Sequence, residues 1–257
     1  MPRAKFVDVA GQRLECVRLA GATRAPTLVF LHEGLGSVSL WKDFPASVAH
    51  ATGCPALIYS RSGYGRSSPT PLPRAPDYMH VEALTVLPAL LDRLGIDAPI
   101  LIGHSDGASI ALLHSSSGLR PVRALVTLAP HVFVDDVAVA SIAEAKRSYE
   151  TTDVRTKLAR HHADADSAFR GWNDIWLAPA FRAWNIEGCL PGVRCPLLLI
   201  QGRDDEYGTA AQLDAIERQV GGEVTRIELS DCRHSPHRDQ PQATLAAIAD
   251  FVAKVAP

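Results

Sequence analysis

The sequence lacks any long apolar segment. None of its apolar runs reaches the roughly 18 residues needed to cross a bilayer. The N-terminal stretch MPRAKFVDVAGQRLECVRLAG contains no continuous apolar segment of the kind found in signal peptides. These two absences predict a cytoplasmic protein without a membrane partner.

An excess of charge of either sign is also missing. The 26 Lys and Arg residues nearly balance the 28 Asp and Glu residues, which gives a formal net charge of −2 at pH 7. Without a basic surface field the chain has little to attract phosphate backbones or anionic lipids. Nucleic acid is therefore not expected as a partner.

Cysteine is scarce and irregularly placed. The five cysteines are odd in number and show no Cys-x-x-Cys spacing: Cys16, Cys54, Cys189, Cys195 and Cys232. Such a pattern predicts neither a disulfide framework nor a zinc site. We expect reduced thiols, most of which pack in the interior.

Short runs of β-branched and aliphatic residues recur along the chain: TLVFLH, PALIYS, PILIGH, RALVTLA, PLLLIQG and VTRIELS. Each is too apolar for a strand with one wet face, so each is predicted to be a strand covered on both sides. Stretches with helical spacing lie between them; one should kink at Pro88 and end at Gly95. An antiparallel hairpin is predicted around Gly11. The 257 residues thus fit an α/β fold with a mostly parallel, doubly wound sheet and helices on both faces.

One interval breaks this alternation of strand and helix. Residues 130–194 contain helical patterns and no convincing strand, so we interpret them as a helical cap inserted into a core domain formed by residues 1–129 and 195–257. Aromatic residues make up only 6% of the chain, yet five fall within AFRGWNDIWLAPAFRAWN. Most should pack the cap onto the sheet, while Trp172 and Trp176 are predicted to line an apolar substrate pocket.

The motif Gly103-His104-Ser105-Asp106-Gly107 follows one predicted strand and precedes a predicted helix. This is the context of a G-x-S-x-G nucleophile elbow, in which a serine occupies a sharp and strained strand-to-helix turn. The flanking glycines are expected because side chains there would collide with neighbouring backbone. An ordinary turn is the alternative, since Gly, Ser and Asp dominate turns. We favour Ser105 as a nucleophile.

A serine nucleophile needs a base, and the base needs an orienting carboxylate. In hydrolases with this elbow the acid and then the histidine follow the serine along the chain. The stretch GRDDEYG after one strand favours Asp205 over Asp204 as the acid, by its spacing from Gly202. The stretch DCRHSPHRD after the last strand favours His234 over His237 as the base. The spacing of Cys232, His234 and His237 matches no zinc pattern.

Backbone N–H groups must also stabilise the oxyanion. One is expected from Asp106, the residue after the nucleophile. The other should come from the loop HEGLGS after the first apolar strand, where Gly34 and Gly36 permit close approach of backbone. The N–H of Gly34 is our candidate.

These residues together resemble the α/β-hydrolase superfamily, in particular its capped, cytoplasmic serine hydrolases, which include small esterases and carbon–carbon bond hydrolases. The similarity rests on LHEGLGS, YSRSGYGRSS, GHSDG, GRDD and CRHSPH and spans essentially the whole chain. The family often has glycine where Glu33 stands. This carboxylate is expected either to face the substrate or to pair with Arg61 or Arg66, and we favour the pairing. Ser60 replaces the usual aspartate of the next turn.

The resemblance implies a serine hydrolase that cleaves a small carboxylic ester through an acyl-enzyme, with no cofactor and no metal. Serine rather than aspartate at the elbow disfavours haloalkane dehalogenase and epoxide hydrolase chemistry. A carbon–carbon bond hydrolase of a ring-cleavage product, a thioesterase, a lactonase and a ligand sensor of low turnover stay open as alternatives. The expected partner is a small-molecule ester, and the sequence is compatible with a homo-oligomer.

Overall fold

A computed structural model describes residues 2–256 and contains one eight-stranded sheet. The strands follow the order β1-β2-β4-β3-β5-β6-β7-β8 across the sheet. The first two strands and the β2–β4 pair are antiparallel, and all other neighbours are parallel. The strands are β1 (Lys5–Val9), β2 (Gln12–Leu19), β3 (Leu28–Leu31), β4 (Ala56–Tyr59), β5 (Ile100–His104), β6 (Ala124–Leu128), β7 (Leu197–Gly202) and β8 (Val224–Leu229).

The apolar runs of the sequence explain the centre of this sheet. Every residue of β3, β4, β5, β6 and β7 is buried, as expected for strands covered by helices on both faces. The predicted hairpin is confirmed by the register Val9–Gln12, with Gly11 in the left-handed region at φ 73°. The prediction was wrong for β8, which is an edge strand with exposed Thr225 and Glu228 and no fully buried residue.

Helices connect the strands and cover the sheet. They are α1 (Phe44–Thr52), α2 (Tyr78–Val81), α3 (Leu87–Leu94), α4 (Asp106–Ser116), α5 (Asp136–Thr151), α6 (Val154–Leu158), α7 (Ala165–Leu177), α8 (Ala210–Gln219), α9 (Pro236–Asp239) and α10 (Pro241–Val255). None of these helices within residues 2–256 has the length and hydropathy of a membrane span.

The helix containing Pro88 shows how the chain accommodates a proline. A π-helical turn, Glu82–Val86, joins α2 to α3, so that Pro88 lies in the first turn of α3. The wider π-helical turn before it gives the proline ring the room that a regular α-helical turn would deny it. The helix then ends, as predicted, at Gly95 in the left-handed conformation.

Two apolar clusters lie against the sheet. One contains Phe44 and Val48 of α1 together with Ile248 and Phe251 of α10, and these two helices pack on each other. The other contains buried residues of α3, α4 and α8. The predicted arrangement of helices on both faces is thereby confirmed, and it leaves the carboxyl ends of the parallel strands free to form a site.

The segment between β6 and β7 is helical. It contains α5, α6, α7 and two 3₁₀ turns, with one isolated bridge between Phe133 and Asn185 among the described residues. Helices α5 and α7 pack through stacked rings of Tyr149 and Phe169, whose centroids lie 3.8 Å apart, and Asn173 Nδ2 donates to the carbonyl of Ile142 at 2.9 Å. The division into a core and a separate cap at residues 130–194 stays a prediction.

Candidate active site

Three loops at the carboxyl edge of the sheet carry the polar side chains singled out by the sequence. Ser105 directly follows β5, Asp205 follows β7 by three residues, and His234 lies in the loop after β8. Parallel strands end at the same edge of a sheet, so loops distant in sequence meet there. Ser105 and His234 accordingly line the same cavity.

Ser105 occupies a strained backbone conformation with φ 53° and ψ −119°. A residue other than glycine adopts a positive φ at a cost of about 1–3 kcal/mol, which the surrounding structure must sustain. A Cβ at Gly103 would collide with the carbonyl of Gly107, and a Cβ at Gly107 would collide with the carbonyl of Leu31. The sharp turn therefore requires both glycines, as the motif predicted.

Asp205 and His234 form a close pair. His234 Nδ1 lies 2.8 Å and 3.0 Å from the two carboxylate oxygens of Asp205. The N–H groups of Tyr207 and Gly208 also donate to Asp205 Oδ1, at 2.8 Å and 3.1 Å. Burial alone would raise the pKa of Asp205, but His234 and the N–H of Tyr207 lower it below its usual value. The carboxylate is thus ionised and its position is fixed.

The alternatives at these two positions have different surroundings. Asp204 is exposed, and its contact with the loop after β8 is made by its backbone: the N–H donates to the carbonyl of Cys232 at 3.0 Å. His237 is buried against Trp41 and Phe44, with ring centroids 5.1 Å and 5.2 Å away, and does not line the cavity that holds Ser105. Burial lowers the pKa of His237 well below its usual value. Within residues 2–256 no cluster of His, Cys, Asp and Glu is arranged to hold a metal ion.

The cavity beside Ser105 has a volume of about 250 Å³. Its apolar lining comes from the loop after β3, from Tyr207 and from the helical segment, and the residues are Leu35, Leu40, Ile142, Leu158, Trp172, Trp176 and Tyr207. Trp172 and Trp176 thus line this cavity, although both are largely buried; their role in substrate binding stays a prediction. The polar lining comprises Glu33, His104, His131, His234, Ser235 and Arg238 besides Ser105.

A second cavity of about 390 Å³ adjoins the first. It shares Leu35, Trp172 and Tyr207 as lining residues with the cavity beside Ser105, and it extends along α5 towards Ser148. Because Trp172 and Tyr207 line both spaces, these two aromatic side chains form part of the partition between them.

The two backbone groups predicted for the oxyanion are free. Neither the N–H of Gly34 nor that of Asp106 donates a hydrogen bond to another group within residues 2–256, and the N–H of Leu35 is free as well. Gly34 lines the cavity, and a Cβ there would collide with the indole of Trp172. Asp106 is the first residue of α4, so its N–H lies at the positive end of the helix dipole.

Glu33 lies in the cavity wall, but its predicted pairing was wrong. Its carboxylate lies 3.6 Å from His104 Nδ1 and 3.4 Å from Arg238 Nη2, whereas Arg61 bonds the backbone carbonyl of Glu33 and lies near Asp106. Burial would raise the pKa of Glu33, but His104 and Arg238 hold it well below its usual range. The carboxylate therefore lines the cavity in its charged form.

His32 and His104 support the loops around the elbow. His32 Nδ1 lies 2.7 Å from the carbonyl of Glu33, and His104 Nε2 lies 2.7 Å from the carbonyl of His234. Both rings thus satisfy backbone carbonyls. His162 is buried as well; its Nδ1 accepts from the N–H of Gly65 and its Nε2 donates to the carbonyl of Leu35.

His131 is a cavity residue that sequence reasoning missed. It lies three residues beyond β6, at the same edge of the sheet, and packs edge-on against Trp176 and 5.5 Å from the ring of His234. Burial, assisted by the nearby His234, lowers the pKa of His131 to about 4. A signal was present, because the histidine follows a strand that ends beside the elbow.

Comparison with known proteins agrees with this architecture. The sequence profile described as Alpha/beta hydrolase family matches residues 28–248 of the chain. The chain belongs to the alpha/beta hydrolase family. The eight-stranded, mostly parallel sheet fits this family. The resemblance inferred from the sequence motifs is therefore confirmed at the level of fold and family.

Individual relatives of the family are distant. A stretch of 95 residues is 30% identical to the sn-1-specific diacylglycerol lipase ABHD11 of Mus musculus, covering 37% of this chain and 29% of that protein. The chain thus matches less than a third of the length of this relative.

Solved structures of the family superpose over almost the whole chain. The proline iminopeptidase of Mycobacterium smegmatis is 17% identical, with a TM-score of 0.75 and 98% of each chain covered. The enol-lactonase of Burkholderia xenovorans LB400 is 18% identical, with a TM-score of 0.75, and the match covers 97% of this chain and 100% of that one. A thermophilic esterase of Thermogutta terrifontis is 16% identical over the full length of both chains, with a TM-score of 0.73. At these identities the likeness extends to the fold alone.

Proposed function

We propose that this alpha/beta hydrolase cleaves small carboxylic esters through an acyl-enzyme on Ser105. The observation that carries the proposal is the pair formed by His234 and a buried, ionised Asp205, with His234 and the strained Ser105 lining one cavity. An imidazole whose Nδ1–H is held by a carboxylate presents Nε2 as a base, which is the arrangement that activates a serine hydroxyl.

In the proposed first step, His234 Nε2 removes the proton of the Ser105 hydroxyl while Oγ attacks the ester carbonyl. The carbonyl oxygen becomes an oxyanion that accepts hydrogen bonds from the N–H groups of Gly34 and Asp106. Each such donor contributes about 3 kcal/mol to transition-state stabilisation. Both N–H groups lack an acceptor within the described residues, and this supports their assignment.

The tetrahedral intermediate then collapses. The bond to the alcohol oxygen breaks, His234 gives its proton to the leaving alkoxide, and the acyl group stays on Ser105. Water, deprotonated by His234, attacks the acyl carbonyl in the second half, and the carboxylic acid leaves as Ser105 recovers its proton. Asp205 keeps its charge throughout and stabilises the imidazolium that forms in each half.

The size and lining of the cavity suggest the substrate. A volume of about 250 Å³ lies just below the range of about 300–1,000 Å³ usual for small-molecule sites. Its walls are mainly aliphatic and aromatic, and Trp172 closes the side towards the second cavity. We therefore propose an ester with a short or aromatic acyl group, bound in this cavity beneath a lid formed by the helical segment.

The test is hydrolysis of p-nitrophenyl esters of increasing acyl length by the wild-type protein and by Ser105→Ala. The matched control is Ser116→Ala. Ser116 lies in the last turn of α4, the helix that follows Ser105, and its hydroxyl donates to the carbonyl of Leu113. We expect turnover in the wild type and in Ser116→Ala, an optimum at short acyl chains, and no turnover above background in Ser105→Ala.

Absence of Ser105-dependent turnover across the ester panel in folded wild-type protein would overturn the proposal. The same protein would then be assayed on a vinylogous diketone of the ring-cleavage type. Turnover of that compound would assign carbon–carbon bond hydrolysis to the site instead.

A further inference from the structure

Asp106 places a carboxylate next to the group that would carry the oxyanion. It directly follows Ser105, its backbone N–H is one of the two proposed oxyanion donors, and its side chain is fully buried. A buried negative charge so close to a developing oxyanion opposes the reaction unless neighbouring groups balance it. The surroundings of this carboxylate therefore bear on the proposed chemistry.

Two side chains balance the charge of Asp106. The hydroxyl of Tyr78 donates to Asp106 Oδ2 at 2.7 Å, and Arg61 Nη1 lies 3.7 Å from the same oxygen. Arg61 is only 3% exposed. Burial opposes its charge, but Asp106 raises the pKa of Arg61 above its ordinary value, so the guanidinium stays charged. The other oxygen of Asp106, Oδ1, has no hydrogen-bond partner within residues 2–256.

Tyr78 links Asp106 to the helical segment. Its hydroxyl accepts a hydrogen bond from the indole Nε1 of Trp176 in α7 at 3.1 Å, while it donates to Asp106. Burial, together with the charge of Asp106, raises the pKa of Tyr78 well above its usual value, so the hydroxyl keeps its proton. A hydrogen-bonded chain thus runs from a residue that lines the cavity to the first residue of α4.

We propose that Tyr78 is a positioning residue that fixes the Asp106 carboxylate and thereby the Asp106 N–H, and that Trp176 fixes Tyr78. Tyr78 supplies the one hydrogen bond made to the carboxylate within the described residues, so its loss leaves a buried carboxylate with Arg61 alone. Because the carboxylate and the N–H belong to one residue at the start of a helix, holding the side chain restrains the backbone that carries the donor. The inference rests on the proposed function.

The first experiment compares Tyr78→Phe with Tyr64→Phe. Tyr64 is buried and Tyr78 is partly buried, and the hydroxyl of Tyr64 has no hydrogen-bond partner within residues 2–256. We expect Tyr78→Phe to lower kcat on the best p-nitrophenyl ester by about tenfold with KM unchanged, less than the 10²–10³-fold cost of deleting an oxyanion donor. Tyr64→Phe should retain the wild-type kcat.

An oxyanion mimic separates positioning from a general structural effect. A boronic acid with the acyl chain of the best ester adds to Ser105 and carries a negative oxygen, whereas the p-nitrophenyl alkyl ether of the same length binds without one. We expect Tyr78→Phe to weaken inhibition by the boronic acid about tenfold and to leave inhibition by the ether unchanged.

The second experiment addresses the link to the helical segment and also serves if Tyr78→Phe does not fold. Trp176→Phe removes the indole donor, and Trp184→Phe is its control because Trp184 Nε1 has no partner within residues 2–256. Trp176→Phe should lower kcat about threefold, and Trp184→Phe should not. Combined with Tyr78→Phe, the Trp176 substitution should cause no further loss of kcat, because both act on one chain of hydrogen bonds.

Equal kcat values for Tyr78→Phe and Tyr64→Phe would overturn the positioning role. The role would also be overturned if Tyr78→Phe weakened inhibition by the boronic acid and by the ether to the same extent. Equal kcat values for Trp176→Phe and Trp184→Phe would show that Trp176 has no part in positioning Tyr78. These outcomes differ from failure of the proposed function, which would appear as absent Ser105-dependent turnover in the wild type and in Tyr64→Phe. In that case both proposals fall.

Discussion

The sheet-edge loops and the helical segment between β6 and β7 both line the cavity beside Ser105, but they are held by different forces. Ser105 is held in its strained conformation by the hydrogen bond from its N–H to the carbonyl of Leu128 at 2.9 Å, and Asp205 is held by two backbone N–H groups and His234. Trp172, in contrast, is held by ring contacts with Phe169 and Tyr207 at centroid distances of 6.0 Å and 6.4 Å and by its seat on Gly34.

The difference separates reaction from selectivity. Hydrogen bonds are directional and fix atoms to within tenths of an ångström, whereas apolar packing tolerates substitutions that conserve volume. We therefore expect chemistry at the sheet edge to respond to the exchange of single atoms. Selectivity at the helical segment should respond to side-chain volume.

The largest effect should come from the carboxylate that holds His234. Asp205→Asn keeps the shape of the side chain but favours the wrong imidazole tautomer, so kcat should fall by up to about 10⁴-fold. Asp204→Asn is the matched control, because the Asp204 side chain is exposed and its backbone makes the contact with Cys232. Steady-state kinetics on the best ester would measure both variants. A greater loss of kcat in Asp204→Asn than in Asp205→Asn would assign the role of the acid to Asp204.

A smaller effect should appear at His131, where the sheet edge meets the helical segment. Its pKa of about 4 in the folded protein, against 6.5 as its ordinary value, means that the unfolded chain binds a proton which the folded chain excludes. Stability from this group is therefore complete above about pH 6.5 and is lost as pH falls towards 4. Between pH 7 and pH 5 the loss should be about 2 kcal/mol.

Urea unfolding of the wild type and of His131→Gln at both pH values would measure this contribution. Other buried histidines act in the same direction, so the relevant quantity is the difference between the two proteins. The drop in unfolding free energy from pH 7 to pH 5 should be about 2 kcal/mol smaller in His131→Gln. An equal drop in both proteins would show that His131 titrates normally in the folded state.

The comparison predicts the smallest effect, and one of a different kind, for Trp172→Ala. Removing the indole should join the two cavities, and each additional buried methylene contributes about 0.8 kcal/mol. The ratio of kcat/KM for long over short acyl esters should rise by about tenfold, while hydrolysis of the shortest ester persists. Trp184→Ala, which lines neither cavity, is the control. An unchanged ratio would contradict the role of Trp172 as a partition.

Much of the fold was predictable because buried segments differ from exposed ones in amino-acid composition. The apolar runs of β3, β5 and β6 identify central strands, since only strands covered on both faces lose their polar residues. The run VTRIELS, in which Arg226 and Glu228 interrupt the apolar residues, was mistaken for another central strand. Its polar residues indicate the exposed edge that β8 forms.

The candidate site was predictable where spacing carries the signal. The spacing of Asp205 from Gly202 and the histidine-containing stretch after β8 predicted Asp205 and His234. The structure places His234 Nδ1 2.8 Å from Asp205 Oδ1. Their catalytic roles stay predictions. The partners of Glu33 were not predictable, because the Arg238 side chain that it meets lies 205 positions away in the chain. Such long-range pairs depend on how loops converge in three dimensions.

Covalent labelling of Ser105 tests the central claim most directly. The wild-type protein would be treated with an alkyl fluorophosphonate, which reacts with activated serines, and analysed by intact and peptide mass spectrometry. We predict one adduct per chain, located on the peptide that contains Ser105, absent in Ser105→Ala and formed far more slowly in His234→Ala. An adduct on another residue, or none in folded wild-type protein, would contradict the account.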